Sequence, residues 1–314
     1  MKQIYYIKNA LNWFVPKFIY ERKAQQLLAA YEKSKDSYIE DRLNYYNKLE
    51  KDFSLPEDEN QNNKIKNIPR TFRIKDFKKM DGTTYYFDIL DIIKYFPKKL
   101  KFRYISGDVT DVPELPSIVK SRPVSNNQNS VLLKLNKIRH FKFISDPLSY
   151  EEKKNIAVWR GANLVPHRQV VVEQFYNHPL CDIGQTTPIE GNPWEKGFLS
   201  IDEQLQYKFI LCIEGNDVAT NLKWVMSSNS VAVMSKPKYE TWFMEGRLVA
   251  GKHYVEVKDD YSDLPEKLQY YIENPDEAKA IIENAHAWVE QFKDERRELL
   301  ISLLVATKYF NYSQ

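Results

Sequence analysis

The chain has 314 residues, enough for one large domain or two of medium size. Its 46 basic and 43 acidic residues leave a net charge of +3, and this balance argues against a dedicated nucleic-acid binder. Two cysteines are too few for a disulfide framework or a cysteine-rich zinc site, and no signal peptide or membrane-spanning run is visible, so we expect a cytoplasmic protein.

The first third of the chain favours helix, loop and strand in turn. Residues 1–50 mix aromatic and aliphatic residues with lysine and arginine, which is typical of helices, and the polar stretch 51–68 indicates a loop. The runs 83–88 and 102–105 predict strands because they are rich in aromatic and β-branched residues, with a short helix near 89–95 between them. Three prolines then interrupt regular structure, at positions 113, 116 and 123.

From residue 153 onwards strands and helices alternate. A strand at 156–159 and a helix near 166–177 precede a second strand at 209–213. A polar glycine turn follows, a helix then begins with Thr220 or Asn221 as its N-cap, and a strand at 230–234 completes a β-α-β unit. Three later elements are predicted: a strand at 253–257 and helices at 275–294 and 296–310.

The polar turn is the most informative segment of the chain, and it reads Glu214-Gly215-Asn216-Asp217. A strand, a glycine turn and a helix N-terminus form the geometry that binds phosphates in open α/β sheets, because N–H groups and the helix dipole point at the ligand. The sequence therefore predicts an α/β fold of two lobes with a phosphate-binding turn in the second.

Two further segments place charged residues after strands. Arg160 and Gly161 end one strand, with Arg168 eight residues beyond, and an arginine there can grip a phosphate in a bidentate manner. The alternative is a surface ion pair. Asp108 follows the strand at 102–105, where a carboxylate can act as a general base or simply start a turn.

Other basic residues and absent motifs narrow the choice of chemistry. Lys120 and Arg122, like Lys137 and Arg139, could neutralise an anionic ligand or form a solvated face, and His253 at a strand start is more often structural. Histidine spacing excludes common zinc hydrolase motifs. The sequence also contains no G-x-S-x-G elbow, no Walker A loop and no G-x-G-x-x-G fingerprint.

Taken together, these segments resemble glycosyltransferase family 90, which includes bacterial lipopolysaccharide core glycosyltransferases, fungal capsule-associated xylosyltransferases and animal protein O-glucosyltransferases. The resemblance runs from about residue 107 to the end and is closest to the bacterial lipopolysaccharide branch. Its carriers are Gly107-Asp108-Val109-Thr110, Lys120-Ser121-Arg122-Pro123, Lys137-Ile138-Arg139-His140-Phe141, Trp159-Arg160-Gly161-Ala162 with Arg168, the segment 214–224, Tyr239-Glu240-Thr241-Trp242-Phe243-Met244-Glu245-Gly246 and His253-Tyr254-Val255.

The resemblance implies a GT-B fold, with two Rossmann-like lobes, a cleft between them and closing C-terminal helices. We expect an acceptor-binding lobe at 1–145, a nucleotide-sugar-binding lobe at 146–290, and a C-terminal helix at 291–314 that returns to the first lobe. It further implies inversion at the anomeric carbon, with a UDP-hexose as donor and a lipid-linked core oligosaccharide, through a heptose, as acceptor. Neither a cofactor nor a metal is expected, and nucleic acid is not an expected partner.

The resemblance also assigns roles to residues. The base falls on Asp108, with Asp111 as the alternative because Asp111-Val112-Pro113 resembles the animal members' Asp-x-Pro. Animal and fungal members carry an arginine where this chain has Asn221, which leaves open the cation that dominates diphosphate binding. The expected donor-binding residues are Arg160, Gly161, Arg168, Glu214, Gly215, Asn216, Asp217, Thr220, Asn221 and Lys223, and those that contact acceptor or phosphate are Lys120, Arg122 and His253.

Two other functions stay open on the sequence: a capsule or other polysaccharide transferase of the same family, and a non-catalytic sugar- or nucleotide-binding module. A lipid-linked acceptor also implies a peripheral contact with the cytoplasmic face of the inner membrane. Residues 2–23 combine aromatics with cations, a composition that suits a membrane interface. An amphipathic helix packed on the first lobe is the alternative, and the membrane hypothesis predicts exposed rings at Trp13, Phe14, Phe18 and Tyr20.

Overall fold

The computed structural model describes residue 5 and residues 15–57, 68–79, 82–162 and 165–313. The chain divides into two compact units. Unit 1 contains residues 1–139, 239–243 and 292–314, and unit 2 contains residues 140–238 and 244–291. The sequence-based boundaries do not provide for the segment 239–243, which lies inside the predicted second lobe but belongs to unit 1.

The described residues form ten helices and eleven strands, besides two short 3₁₀ turns. The helices are α1 (Lys17–Ser34), α2 (Ser37–Tyr46), α3 (Thr83–Ile93), α4 (Lys137–His140), α5 (Pro166–Phe175), α6 (Ile201–Gln204), α7 (Leu222–Val225), α8 (Leu264–Glu273), α9 (Pro275–Glu290) and α10 (Glu295–Tyr312). The strands are β1 (Arg70–Arg73), β2 (Lys101–Tyr104), β3 (Ser117–Val119), β4 (Ser121–Pro123), β5 (Ser130–Leu132), β6 (Lys154–Gly161), β7 (Cys181–Gln185), β8 (Tyr207–Leu211), β9 (Val231–Ser235), β10 (Tyr239–Thr241) and β11 (Val255–Val257).

Unit 1 contains a four-stranded mixed sheet in the order β1-β2-β3-β5. Strands β2, β3 and β5 run parallel, whereas β1 is antiparallel to β2. The sequence led us to expect a Rossmann-like lobe here, and the antiparallel strand is a departure from an all-parallel sheet. Such an edge strand is common on otherwise parallel sheets, so the mixed α/β class agrees with the sequence.

Buried charged groups hold the segment 239–243 in unit 1. Strand β10 pairs with β4, and the Arg122 guanidinium donates to Glu240 at 2.8 Å. The Trp242 indole donates to Glu298 at 2.7 Å, and the same carboxylate accepts from Arg42 at 2.6 Å. All five side chains are almost fully buried, so removing any one partner would leave a charge or polar group without compensation.

Unit 2 contains a five-stranded parallel sheet in the order β7-β6-β8-β9-β11. Counted along the chain these strands have the order 2-1-3-4-5, the flavodoxin-like variant of the doubly wound fold. Alternate residues of the strands, such as Trp159, Phe209 and Val233, form a hydrophobic core with α5, α8 and α9. The strands are largely apolar because a parallel sheet is covered by other layers of the fold on both faces.

Most elements predicted after residue 153 agree with the structure, and the clearest differences lie in both units. Residues 83–88, predicted as a strand, begin helix α3, because Ile89, Ile92 and Ile93 lie at helical spacing and their burial outweighs β-propensity. The helix after residue 220 is a single turn. Strands β7 and β10 and helix α8 had no counterpart among the predicted elements. No helix in the described ranges is both long and apolar enough to cross a membrane.

Candidate active site

A crevice is expected in unit 2 where β6 and β8 lie side by side. The chain leaves β6 toward β7 on one side and leaves β8 toward β9 on the other, which makes this pair the topological switch point of the sheet. In open α/β sheets ligands bind outside the carboxyl ends of the strands at that point. Gly161 ends β6 and the turn 214–217 follows β8, so both predicted segments lie at this edge.

Arg168 joins the two sides of the switch point. Its guanidinium donates to the carbonyl of Ala162 after β6 at 3.3 Å, and to those of Ile213 and Glu214 after β8 at 3.0 and 2.9 Å. The cation also lies 5.6 Å from the Trp159 ring centroid. Three carbonyls and an aromatic ring therefore hold the guanidinium at the carboxyl edge of the sheet, where the sequence expected a phosphate contact.

The turn 214–217 is shaped around this arginine. The Gly215 amide donates to the Asp217 carbonyl at 3.0 Å and closes the turn. A Cβ at Gly215 would lie 3.1 Å from Arg168 Nη2, so a larger residue would press on the guanidinium. The Glu214 carboxylate accepts from the Lys238 amide at 3.1 Å, while Asn216 is exposed and Asp217 is buried.

His167 is a neighbour that the sequence analysis did not single out. It lies in the first turn of α5, is exposed, and its Nε2 is 2.8 Å from the Glu214 carbonyl. Because a carbonyl only accepts, Nε2 carries the proton. The signal in the sequence was its position directly after Pro166, which starts the helix that follows β6.

Arg160 has a different environment from Arg168. Its guanidinium lies beside β7, where it donates to the Asp182 carbonyl at 2.6 Å and to the Asp182 carboxylate at 2.7 Å. It also donates to the Gly197 carbonyl at 3.0 Å. Asp182 pairs in register with Val158, two residues before Arg160, so the cation points away from the carboxyl edge. This arrangement matches the ion-pair alternative rather than a phosphate contact.

Asp182 accepts from three donors, which explains its ionisation. Lys196 and Tyr207 donate to it at 2.9 and 2.7 Å in addition to Arg160. Burial alone would raise the pKa of this carboxyl, but the three hydrogen bonds outweigh it and lower the pKa to about 2. The cluster of Arg160, Asp182, Lys196 and Tyr207 is therefore a stabilising ion-pair network on the sheet.

The remaining donor candidates in unit 2 have protein partners. Gly161 packs against the Trp159 ring, where a Cβ would lie 2.6 Å from the ring carbon Cζ2. Asn221 occupies the N-cap position of α7, but its amide donates to the Leu211 carbonyl at 2.9 Å rather than capping the helix. Lys223 is fully buried and forms an ion pair with Glu245, and Thr220 is half-buried.

In unit 1, Asp108 lies on the loop that follows β2. Gly107 has φ of +99°, a conformation that residues with a Cβ adopt rarely, and it turns the chain at the end of the strand. The Asp108 carboxylate accepts from Lys120 Nζ at 2.6 Å, and its side chain is 29% exposed. A carboxylate held near the surface at the carboxyl end of a parallel strand suits a general base.

Asp111 lies on the same loop and is exposed. Its carboxylate accepts from the Thr110 hydroxyl at 3.2 Å. An exposed carboxylate beside the hydroxyl of its sequence neighbour is less firmly oriented than one held by a buried ammonium group. The geometry therefore favours Asp108 over Asp111 as the base.

Arg122 and His253 are buried rather than open to an acceptor. Besides Glu240, Arg122 donates to the carbonyls of Tyr45, Tyr46 and Ser130. His253 accepts from the Val249 amide at 2.9 Å through Nδ1, and burial lowers its pKa. Among the described residues, no three histidines, cysteines, aspartates or glutamates are grouped as a metal site.

Of the N-terminal aromatic segment, the structure describes Tyr5 and the residues from 15 onwards. Trp13 and Phe14 lie outside the described residues. Phe18 is 65% exposed, in agreement with the sequence prediction, and Ile19 beside it is 44% exposed. Tyr20 is half-buried and its ring centroid lies 5.2 Å from that of Tyr95.

Comparison with known proteins gives the family. The model of "Glycosyl transferase family 90" matches residues 134–297. The O-glucosyltransferase LpsA of Dichelobacter nodosus is 43% identical over 312 residues, which cover 98% of this chain and 94% of that protein. The chain belongs to glycosyl transferase family 90. Protein O-glucosyltransferase 3 of Homo sapiens is 27% identical over 168 residues, 51% of this chain and 33% of the human protein.

Family membership identifies the protein as a glycosyltransferase and decides against a non-catalytic binding module. The matched region contains the switch point, Arg168 and the turn 214–217. Asp108 and Asp111 precede it, but they fall within the near-complete match to the bacterial relative.

Proposed function

We propose that this glycosyltransferase is an inverting enzyme that moves glucose from UDP-glucose to a hydroxyl of a lipopolysaccharide core, through a heptose. The name of the bacterial relative, O-glucosyltransferase, supports glucose as the sugar. The acceptor follows from the resemblance to the lipopolysaccharide branch. The single observation that carries the donor site is Arg168, which bridges the carboxyl ends of β6 and β8.

The diphosphate of the donor is proposed to lie at this edge, beside Arg168 and the N-terminus of α5. That helix begins after Val165, whose side chain cannot cap it, and Pro166 occupies its first position. The Arg168 and Gln169 amides donate to the Val165 carbonyl at 3.1 and 3.4 Å, so this terminus acts on a phosphate chiefly through the positive end of the helix dipole. Together the guanidinium and the helix N-terminus supply positive charge as the diphosphate departs.

Asp108 is proposed as the general base. It takes the proton of the acceptor hydroxyl as that oxygen forms a bond to the anomeric carbon. The bond between this carbon and the diphosphate oxygen breaks, and its electron pair leaves with UDP. The transition state is oxocarbenium-like, and attack from the opposite face inverts the configuration. We propose that the two units form a GT-B enzyme without an essential metal.

A peripheral contact with an anionic membrane surface is proposed for the start of α1. The exposed Phe18 and Ile19 are flanked by Lys17, Arg22 and Lys23, and apolar residues beside cations favour such interfaces. Flotation with vesicles containing anionic lipid should recover the protein at low salt and less at high salt. A Phe18→Ser and Ile19→Ser double variant should float less, and absence of wild-type binding at low salt rejects the contact.

The donor is tested by combining binding with transfer. A set of UDP-sugars is screened for thermal stabilisation, since a ligand at one hundred times its dissociation constant adds about 2.7 kcal/mol to the free energy of unfolding. UDP-glucose should stabilise the protein and support transfer to a heptose-terminated core oligosaccharide. If only UDP-galactose stabilises the protein and supports transfer, the transferred sugar is galactose rather than glucose. No response to any UDP-sugar would reject the proposed function.

A further inference from the structure

Lys120 is a buried cation in contact with the proposed base. The residue connects β3 to β4 in the chain, and its side chain is 2% exposed. The Asp108 side chain that it contacts is 29% exposed. The distance of 2.6 Å between Nζ and Oδ1 is that of a short charge-assisted hydrogen bond. The pair thus joins a buried interior group to a carboxylate that reaches the surface.

The loop carrying Asp108 is fixed to the same segment by the next residue. The Val109 amide donates to the Ser121 hydroxyl at 3.1 Å, and this hydroxyl donates to the Val109 carbonyl at 3.3 Å. Ser121 and Val109 are both buried. Lys120 and Ser121 therefore hold two consecutive residues of the loop, one through its side chain and the other through its backbone.

Burying the ammonium group of Lys120 costs free energy, and replacing a buried ion pair by apolar side chains is often neutral or stabilising. Ile118 and Val119 before it are apolar and buried, whereas Ser121 and Arg122 after it are polar and buried. The contact with Asp108 offsets part of the cost of burial and gives the cation a role at this carboxylate.

We propose that Lys120 is a positioning residue that holds the Asp108 carboxylate in one orientation and keeps it ionised for deprotonation of the acceptor hydroxyl. This inference rests on the proposed function, in which Asp108 is the base. Lys120 keeps its own proton throughout, so it transfers none to the substrate. Its effect on the reaction passes entirely through Asp108.

Among the described residues, the segments next to this pair carry other charged groups. Lys120 belongs to the segment between β3 and β4, and Asp111 lies on the same loop as Asp108. The Arg122–Glu240 ion pair joins β4 to β10. Asp111 is exposed and so well screened, and the charges of Arg122 and Glu240 largely cancel. Lys120, whose ammonium group contacts the carboxylate directly, is therefore expected to act on the ionisation of Asp108 more strongly than these three groups.

The test compares Lys120→Met, Lys120→Arg and wild type by two measurements. The first is the pH dependence of kcat/KM for glucose transfer, whose acid limb reports the ionisation of the base in the free enzyme. The second is the titration of the Asp108 carboxyl carbon by NMR, identified by its absence in Asp108→Asn. Loss of a neighbouring cation raises a carboxyl pKa by about one to three pH units, so both midpoints should rise by that amount in Lys120→Met.

Positioning has its own signature in the same variants. On the plateau above the acid limb, kcat of Lys120→Met should fall about ten- to a hundred-fold through misplacement of the base, while KM for UDP-glucose stays unchanged. Lys120→Arg retains the charge, so it should restore the wild-type midpoints and most of kcat. A purely structural lysine would change stability and the NMR midpoint of Asp108 in Lys120→Met but leave the acid limb of kcat/KM and the plateau kcat where they are.

Lys134 offers a matched control in the same unit. It is a largely buried lysine whose Nζ lies 3.0 Å from Glu298, remote in sequence from Asp108. Lys134→Met should lower thermal stability and leave the acid limb unchanged. If the midpoints of folded Lys120→Met stay at wild-type values, the inference is overturned and the proposed function stands. If Asp108→Asn retains wild-type turnover, the proposed base is wrong and this inference fails with it.

Discussion

Two aspartate–cation pairs of this enzyme look alike in isolation. Asp108 in unit 1 is 29% exposed and pairs with the buried Lys120, and Asp182 in unit 2 is 26% exposed and pairs with the buried Arg160. Their positions differ. Asp108 follows the carboxyl end of a parallel strand, whereas Asp182 is the second residue of β7 and also accepts from Lys196 and Tyr207.

An ion pair and partial exposure are therefore not enough to identify a functional carboxylate. Position along the strand does more, because ligands of α/β sheets bind at the carboxyl edge. Arg160 and Arg168 of unit 2 differ in the same way. Arg160 points back along β7 to Asp182, while Arg168 bonds to carbonyls at the carboxyl edge. We therefore propose catalysis for Asp108 and donor binding for Arg168, and a stabilising role for Asp182 and Arg160.

The largest expected effect separates the two aspartates by turnover. Asp108→Asn should lower kcat for glucose transfer roughly 10²–10⁴-fold, the range for a positioned general base, while UDP affinity is retained. Asp182→Asn is the matched control, and its folded fraction should turn over at the wild-type rate. Normal transfer by Asp108→Asn together with loss in Asp111→Asn would move the base to Asp111.

A smaller effect separates the two arginines by donor affinity. Arg168→Ala should weaken UDP binding by about 1.5–3 kcal/mol, or roughly ten- to a hundred-fold, because a charged hydrogen bond to the diphosphate is lost. Arg160→Ala should reduce thermal stability with little change in UDP affinity. Titration calorimetry measures both, and a larger loss of UDP affinity in Arg160→Ala would reverse the assignment.

The pH dependence of stability tests the role of Asp182. Its pKa is about 2 in the folded protein against an ordinary 3.8, so the unfolded chain binds the extra proton first. The stabilisation, about 2 kcal/mol before solvent screening, is complete above about pH 5 and is lost as pH falls through about 2. Urea unfolding should show a wild-type advantage over Asp182→Asn that shrinks in this window. A stability difference that stays constant from pH 6 to 2 would contradict the lowered pKa of Asp182.

The smallest effect is expected from chelation. Since Arg168 and the α5 N-terminus are proposed to supply the positive charge at the diphosphate, EDTA should leave the transfer rate largely unchanged. The rate is measured before and after dialysis against EDTA, with Mn²⁺ and Mg²⁺ added back. A strict need for either ion would reject the metal-independent mechanism.

The sequence predicted the parallel sheet of unit 2 well, because strands such as β6, β8 and β9 are continuous apolar runs bounded by turn residues. The second half of helix α3 was predicted as a helix near 89–95, but its first half was predicted as a strand. The aromatic and β-branched residues there have strand propensity, and only tertiary burial decides between the two. Long-range strand pairing explains why β10 was also missed. Its three residues pair with β4, more than a hundred positions earlier.

The site residues also divide into those that local sequence pattern predicted and those that depend on long-range contacts. Local pattern placed Arg168, the turn 214–217 and Asp108 after strands, where the structure also has them. No local pattern revealed that Arg160 would bond to Asp182, or that Lys120 would reach Asp108, because these partners lie 22 and 12 residues away. His167 was overlooked for the same reason, since its partner is the Glu214 carbonyl.

Hydrogen–deuterium exchange with and without UDP tests the donor site most directly. Saturating UDP should slow exchange of the amides in the turn 214–217 and in the first turn of α5, and leave strand β7 and Gly197 unchanged. Arg168→Ala at the same UDP concentration should lose that protection. Protection confined to β7 and Gly197, around the Arg160–Asp182 pair, would contradict the assignment of the donor to the switch point.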